Sequence, residues 1–214
     1  MPQPLSTYLF DLDGTLIDSV DLIMKSFRHT MIAHRGEAPP EEVWLRGLGT
    51  PLWSQLKEFS SDQEEVNAMV ATYREFNHAN HDTMVRPYPG VLETIRTLKE
   101  GGKALGVVTS KMRAGTVRGL TCCGLDEFFD MLVGADDTDK HKPDPTPVLV
   151  AIERLNADPA TTIFIGDSPH DLASGRAAGI RTGAALWGPF PKEWLEKHEP
   201  DYWLEGPGQI LTLR

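Results

Sequence analysis

Two carboxylates, Asp11 and Asp13, stand at the end of an apolar run and directly before a Gly-Thr pair in the stretch YLFDLDGTLIDS. Side chains two residues apart on a strand share one face, so both acids point into one site unless the turn at Gly14 redirects the second. Acids in a dry cleft repel one another, and a hard cation with oxygen ligands relieves that repulsion. The spacing therefore predicts a magnesium-binding carboxylate site where a buried strand meets a turn.

Further polar side chains follow the later apolar runs, and they are acids, hydroxyls and one lysine: Thr109, Ser110, Lys142, Asp167 and Asp171. Ligands of open parallel sheets bind outside the carboxyl ends of the strands, so we expect these side chains to converge. A lysine supplies a point charge for a phosphate oxygen, and a threonine supplies a hydroxyl donor. The combination is typical of phosphoryl transfer, in which an aspartate attacks phosphorus and water then cleaves the aspartyl-phosphate.

Each of these residues taken alone has a simpler interpretation. A single aspartate after a strand is most often a cap or turn residue, and we interpret Asp18 and Asp144 in this way. Lys142 alone would be a solvated surface lysine, and Ser110 alone would be a helix cap. The agreement of four independent strand ends favours the functional interpretation.

The elements that must position these residues alternate along the chain. Apolar runs predict buried parallel strands at Tyr8–Phe10, Ala104–Val108, Met131–Val133, Thr162–Ile165 and Thr182–Leu186. Between them, Val91–Lys99 and Thr146–Leu155 carry apolar stripes at helical spacing. Strands that alternate with helices predict the α/β class, with a parallel sheet covered on both faces.

One long segment breaks this alternation and has no convincing strand. Its patterns predict helices, with apolar residues at helical spacing in Asp21–Arg35 and an N-cap at Asp62. We expect its histidines to lie on the surface, because they lack metal-ligand spacing: His29, His34, His78 and His81. The prediction is a core of residues 1–18 and 87–214 with a helical insert, residues 19–86.

The bulk composition excludes some classes of function. The 214 residues include 31 acidic and 21 basic side chains, and the net charge of −10 argues against sequence-independent binding to nucleic acid. No apolar run approaches the roughly 20 residues of a membrane span, and no signal peptide is evident. The two cysteines, Cys122 and Cys123, are neighbours and imply no disulfide framework. We expect a cytoplasmic protein, either a monomer or a homodimer.

In chain order, the motifs DLDGT, VVTSK, KPDP and GDSPHD resemble the four signature motifs of the haloacid dehalogenase-like hydrolase superfamily. The resemblance implies a Rossmann-like core with a mobile helical cap, which the helical insert would form. It also implies that Asp11 is the nucleophile and that Asp13 is the general acid and then the base. Thr109 would bind phosphoryl oxygens with Ser110 beside it, and Lys142 would neutralise charge between nucleophile and phosphate.

The same resemblance implies a magnesium site. Its ligands would be the Asp11 side chain, the Asp13 backbone carbonyl and Asp167, with Asp171 either a ligand or close behind the ligands. An acid at position 13 also separates this chain from relatives that cleave carbon–halogen or phosphonate bonds, since those lack it. We therefore expect hydrolysis of a phosphate monoester or anhydride on a small phosphorylated metabolite.

Within the insert, RGLGTPL resembles the substrate loop of phosphoglycolate phosphatases and their pyrophosphatase relatives. That resemblance makes Arg46, Gly49 and Thr50 candidate substrate-binding residues together with Ser110. A glycine-rich turn between helices explains the glycines equally well, and a surface position explains Arg46 equally well. Phosphoglycolate is the first expected substrate. Inorganic pyrophosphate, a phosphosugar mutase reaction and a non-catalytic binding role are the alternatives.

Overall fold

The computed structural model describes residues 3–214, in which strands and helices alternate outside one helical segment. The strands are β1 (Thr7–Phe10), β2 (Ile17–Asp18), β3 (Arg86–Pro87), β4 (Ala104–Val108), β5 (Met131–Val133), β6 (Thr162–Gly166), β7 (Arg181–Ala185) and β8 (Tyr202–Leu204). The helices are α1 (Val20–Arg35), α2 (Glu41–Gly47), α3 (Leu52–Lys57), α4 (Gln63–Met84), α5 (Val91–Glu100), α6 (Arg113–Cys122), α7 (Thr146–Arg154), α8 (Pro169–Ala177) and α9 (Lys192–Leu195).

Within the described chain, six strands form one parallel sheet in the order β5-β4-β1-β6-β7-β8. If only these six strands are numbered in chain order, the order in the sheet is 3-2-1-4-5-6. This is the arrangement of doubly wound Rossmann folds. The predicted fold class is confirmed, and the bounds of the five predicted strands differ from the observed ones by at most one residue. The edge strand β8 was not predicted, because YWL is a short run in a tail rich in Pro, Gly and acids.

The position of β1 in the fold explains the apolar run from Tyr8 to Phe10. Tyr8 and Phe10 belong to one buried cluster, and Leu9 between them belongs to the cluster on the other face of the sheet. A strand that is buried on both faces needs apolar residues at every position. β1 therefore lies in the middle of the core, and its carboxyl end is the point at which the strand order reverses.

The helical insert contains α1 to α4, and between β2 and β3 the structure places no strand among the described residues. β2 and β3 pair antiparallel and bring the two ends of the segment together. Asp62 accepts a hydrogen bond from the Glu64 N–H, which confirms the predicted N-cap. The division into a core of residues 1–18 and 87–214 and an insert of residues 19–86 stays a prediction.

The insert has its own aromatic centre, which also contacts the sheet. Phe27 stacks on Trp44 with ring centroids 3.8 Å apart and meets Tyr73 edge-on at 5.0 Å. The same apolar cluster contains Leu172 of α8 and Phe190 after β7. The insert thus packs directly on the carboxyl end of the sheet.

One prediction about the insert is wrong. His81 was expected on the surface, yet only 2% of it is exposed. It lies in the last turn of α4, where the insert returns to the core and Gly119 of α6 lies close to the His81 ring. Among residues 3–214, no helix combines the length and the apolar character needed to cross a membrane.

Candidate active site

Three of the four acids predicted to share a site meet at the carboxyl ends of β1 and β6. Asp11 follows β1, and its N–H donates to the Ile165 carbonyl of β6 at 2.9 Å. Asp167 follows β6, and Asp171 lies in the first turn of α8. These three buried aspartates each offer a carboxylate oxygen, and the oxygens lie within 4.8 Å of one another. The cluster lies at the topological switch point of the sheet, the place at which doubly wound folds bind ligands.

Lys142 forms ion pairs with two of these acids, Asp11 and Asp171. Its Nζ lies 2.8 Å from Asp11 Oδ1 and donates a hydrogen bond to Asp171 Oδ1. Burial by itself disfavours an ammonium, but the charges of Asp11 and Asp171 outweigh it and raise the pKa of Lys142. The lysine is therefore a permanent cation inside the site and not the solvated surface residue that its sequence context also allowed.

The acids carry more negative charge than one lysine balances. Burial, followed by the charge of Asp171, raises the pKa of Asp11 to about 7, with Lys142 acting in the opposite direction. Burial and the charges of Asp171 and Asp11 raise the pKa of Asp167 as well. Asp11 Oδ1 is buried, and the group that faces it is the Lys142 ammonium at 2.8 Å. An all-oxygen donor set whose negative charge exceeds that of its one cation fits a hard divalent cation such as Mg²⁺.

Asp171 differs from the other two acids because both of its oxygens already have donors. Oδ1 accepts from Lys142, and Oδ2 accepts from the Ser168 N–H at 3.0 Å and from the Ser168 hydroxyl at 2.6 Å. Ser168 and Asp171 form a capping box at the start of α8. Asp171 is thus a fixed support for Lys142.

Asp167 fits into its place because two neighbouring residues, Gly14 and Gly188, have no side chain. Gly14 has a φ of +88°, and a Cβ built there would lie 2.5 Å from Asp167 Oδ2. A Cβ at Gly188 would lie 2.3 Å from Asp167 Cβ. Next to Gly14, the Thr15 hydroxyl donates to Asp167 Oδ1 at 2.6 Å. The Gly-Thr pair after the two acids therefore positions Asp167 through a close approach and a hydrogen bond.

Asp13 stands apart from the cluster of three acids. Its Oδ1 accepts from the Ser19 hydroxyl at 2.6 Å and from Lys111 Nζ at 2.8 Å. Burial opposes its charge, but Lys111 and Ser19 outweigh that effect and lower the pKa of Asp13. The sequence predicted no role for Lys111, the last residue of the VVTSK motif, although its place directly after Thr109 and Ser110 was a signal.

The predicted hydroxyl donors lie beside the acids at the end of β4. The Thr109 N–H donates to the Val133 carbonyl at 3.0 Å, which extends the ladder between β4 and β5. Thr109 Oγ1 accepts from the Lys111 N–H at 3.2 Å and keeps its own proton to donate. Ser110 Oγ is buried and has no partner among the described residues. Both hydroxyls can therefore donate to an incoming oxygen anion.

The candidate residues of the insert lie in different places. Gly49 has a φ of +94°, and a Cβ there would be 3.1 Å from Ser168 Oγ, so this backbone covers the core site. The Thr50 hydroxyl donates to the Gly47 carbonyl at 2.7 Å and shapes the same turn. The exposed Arg46 guanidinium donates to Glu42 at 2.8 Å, one helical turn away. The structure thus brings Gly49 to the core residues and does not bring the Arg46 side chain there.

Comparisons with known proteins agree with this geometry. A model of the haloacid dehalogenase-like hydrolase family matches residues 8–185, which include the acids, the hydroxyls, Lys142 and the whole insert. A pyrophosphatase PpaX from Halalkalibacterium halodurans is 40% identical over 209 residues, covering 98% of this chain and 96% of that protein. A protein from Caldanaerobacter subterraneus, provisionally named pyrophosphatase PpaX, is 43% identical over 209 residues. The match covers 98% of this chain and 94% of that protein.

A solved structure has the same fold. The crystal structure of a predicted phosphoglycolate phosphatase from Haemophilus somnus matches with a TM-score of 0.86 over 97% of each chain. At 23% identity, this match supports the arrangement of strands and helices alone.

Proposed function

The chain belongs to the haloacid dehalogenase-like hydrolase family, and we propose that it is a magnesium-dependent phosphatase acting through an aspartyl-phosphate. The observation that carries the proposal is the buried Asp11 carboxylate, which faces Lys142 at 2.8 Å and shares one cluster with Asp167 and Asp171. A buried carboxylate that is held beside a permanent cation is suited to attack an electrophilic phosphorus.

In the first half of the reaction, Asp11 attacks phosphorus and the bond from phosphorus to the leaving oxygen breaks. Asp13, once protonated, donates its proton to that leaving oxygen. Lys142 offsets the negative charge between the nucleophile and the phosphoryl group. The hydroxyls of Thr109 and Ser110 donate to phosphoryl oxygens.

In the second half, Asp13 is a carboxylate and takes a proton from a water molecule. The oxygen of that water attacks phosphorus, the acyl-phosphate bond to Asp11 breaks, and inorganic phosphate leaves. When bound, Mg²⁺ supplies electrostatic stabilisation of the phosphoryl oxygens, and Asp11, Asp167 and the Asp13 backbone carbonyl would hold it. Asp171 acts behind these residues by fixing Lys142.

The substrate is the finer part of the proposal. The relatives named pyrophosphatase, at about 40% identity over almost the whole chain, lead us to place inorganic pyrophosphate ahead of phosphoglycolate. The resemblance of the RGLGTPL loop suggested the opposite order, with phosphoglycolate first and pyrophosphate second. Both compounds are small phosphate derivatives with an anionic leaving group.

The test is phosphate release from pyrophosphate, phosphoglycolate and hexose phosphates, with Mg²⁺ or with a chelator. We expect one of the first two compounds to exceed the others, and only when Mg²⁺ is present. Transfer of phosphate between sugar positions without net release would replace the proposal with a mutase.

A second experiment tests the two-step mechanism. With the Asp13→Asn variant, turnover should stop. It stops before Asp11 is phosphorylated if the leaving oxygen needs the proton of Asp13; otherwise a phosphorylated Asp11 accumulates, because no base activates the water, and intact-mass spectrometry detects it. Unchanged turnover in this variant would remove the acid–base role of Asp13.

A further inference from the structure

Two lysines face the acids of the site at different depths. Lys142 is enclosed between Asp11 and Asp171. Lys111 lies nearer the surface, with 19% of its side chain exposed beside an Asp13 side chain that is 16% exposed. The inner cation therefore accompanies the nucleophile, and the outer cation accompanies the residue proposed as the acid.

Lys111 is held in place by its backbone and its stem. Its N–H donates to Thr109 Oγ1 at 3.2 Å, and its carbonyl accepts from the Ala135 N–H at 2.9 Å. The stem passes Gly115 of α6, where an added Cβ would lie 3.2 Å from Lys111 Cε. These contacts hold the ammonium beside Asp13, 2.8 Å from its Oδ1.

The ammonium of Lys111 has unused capacity. An ammonium has three N–H donors, and among residues 3–214 the acceptor of its side chain is Asp13 Oδ1 at 2.8 Å. Lys142 differs, because two carboxylates already take its charge. The other N–H donors of this ammonium are therefore available to a second anion beside Asp13.

The place of Lys111 decides which part of a substrate it meets. An acid that protonates the leaving oxygen must lie within hydrogen-bond reach of that oxygen. A cation 2.8 Å from Asp13 thus stands on the side of the leaving group and not on the side of the transferred phosphoryl group. We propose that Lys111 binds an anionic oxygen group on the leaving group and so selects substrates that carry one.

This inference rests on the proposed function, because it takes Asp13 as the acid. It names the substrate class as phosphate compounds whose leaving group is itself charged, such as the second phosphate of pyrophosphate or the carboxylate of glycolate. Sugar and simple alcohol leaving groups offer no such anion. The residue that selects the leaving group is then Lys111 of the core. The Arg46 side chain of the insert is exposed to solvent and pairs with Glu42.

The first experiment compares substrates in a Lys111→Met variant, which keeps the stem and removes the charge. We expect kcat/KM to fall about 10- to 100-fold more for pyrophosphate and phosphoglycolate than for ethyl phosphate, whose alcohol leaving group also needs a proton but carries no charge; this is the range expected for a charge-assisted hydrogen bond. Lys25→Met is the matched control, since Lys25 also pairs with an aspartate at 2.8 Å but lies on the surface of α1. Lys111→Arg should restore part of the preference.

Equal losses for all three substrates would overturn the inference, because Lys111 would then act only by positioning Asp13. Unchanged kinetics would overturn it as well.

A binding measurement separates this inference from the proposed function. In the Asp11→Asn background, calorimetry with Mg²⁺ compares the affinities of pyrophosphate and ethyl phosphate with and without Lys111→Met. Loss of the pyrophosphate preference in Lys111→Met supports the anion subsite even if the protein turns over none of these compounds. Equal affinities of the two compounds before the substitution would overturn the subsite even if phosphatase activity is found.

Discussion

Lys142 and Lys25 each lie 2.8 Å from an aspartate oxygen, one in the core site and one on the helical insert. Lys142 and Asp11 have side chains that are 1% and 5% exposed, whereas those of Lys25 and Asp21 are 55% and 68% exposed. Water screens the pair on the insert, so breaking it has little effect. In the core, removing one partner leaves a buried charge without compensation. Equal distances therefore say little about energy until the burial of the pair is known.

The largest expected effect concerns the nucleophile. Asp11→Asn should lower phosphate release by at least about a thousandfold, because the amide cannot attack phosphorus. Circular dichroism should show an intact fold. Asp21→Asn is the control on the insert and should retain full activity. Activity that survives in Asp11→Asn would refute the aspartyl-phosphate mechanism.

The second prediction compares the two lysine pairs directly by chemical denaturation. Lys142→Met leaves Asp11 and Asp171 buried without their cation, and we expect it to lower the free energy of unfolding by about 3–5 kcal/mol. Lys25→Met should change the free energy of unfolding by no more than about 0.5 kcal/mol. Similar values for the two variants would mean that water reaches Lys142 and screens it.

The third prediction tests whether the insert and the core unfold together. Phe27→Ala removes an aromatic ring from the shared apolar cluster and should lower the free energy of unfolding by about 3 kcal/mol. Leu172→Ala should lower it by about 2 kcal/mol or more from the core side of the same cluster. Both variants should show one unfolding transition in calorimetry. Two separate transitions would show that the insert is an independent unit.

The fourth prediction is a pH dependence in the absence of metal. The pKa of Asp11 is raised from 3.8 to about 7 by burial and by Asp171, so the folded chain keeps a proton that the unfolded chain releases. Stability in a chelator should therefore fall as pH rises from about 4 to about 7 and stay low above that range. Mg²⁺ should raise the melting temperature more at about pH 8 than at about pH 5. An equal effect of Mg²⁺ at both values would contradict the assignment of Asp11 as a ligand.

The smallest effect is expected at the surface of the insert. Arg46→Ala removes an exposed pair with Glu42, and stability should change by no more than about 0.5 kcal/mol. We expect kcat/KM for pyrophosphate to change less than about threefold, because a charge in bulk water contributes little at a distance. A tenfold loss would instead support the substrate-binding role that the RGLGTPL motif suggested.

Much of the fold could be predicted because burial leaves a clear pattern in the chain. The sheet strands next to β1 are buried on both faces and therefore stand out as continuous apolar runs. The two-residue strands β2 and β3 and the edge strand β8 have no such pattern, since short pairings depend on what the rest of the fold brings beside them. The surface position predicted for His81 was wrong for the same reason. Its burial comes from packing around the end of α4 and not from its neighbours in sequence.

The sequence by itself determined which acids and hydroxyls stand at the ends of strands, because an apolar run followed by a polar turn is a local pattern. It also determined that a parallel sheet gathers those ends at one edge. The tertiary structure alone decided which partner each acid takes. Asp11 faces Lys142, while Asp13 turns to Ser19 and to Lys111, which is 98 residues away along the chain. Such pairs depend on distances in space that the strand order sets, and no local pattern of residues encodes them.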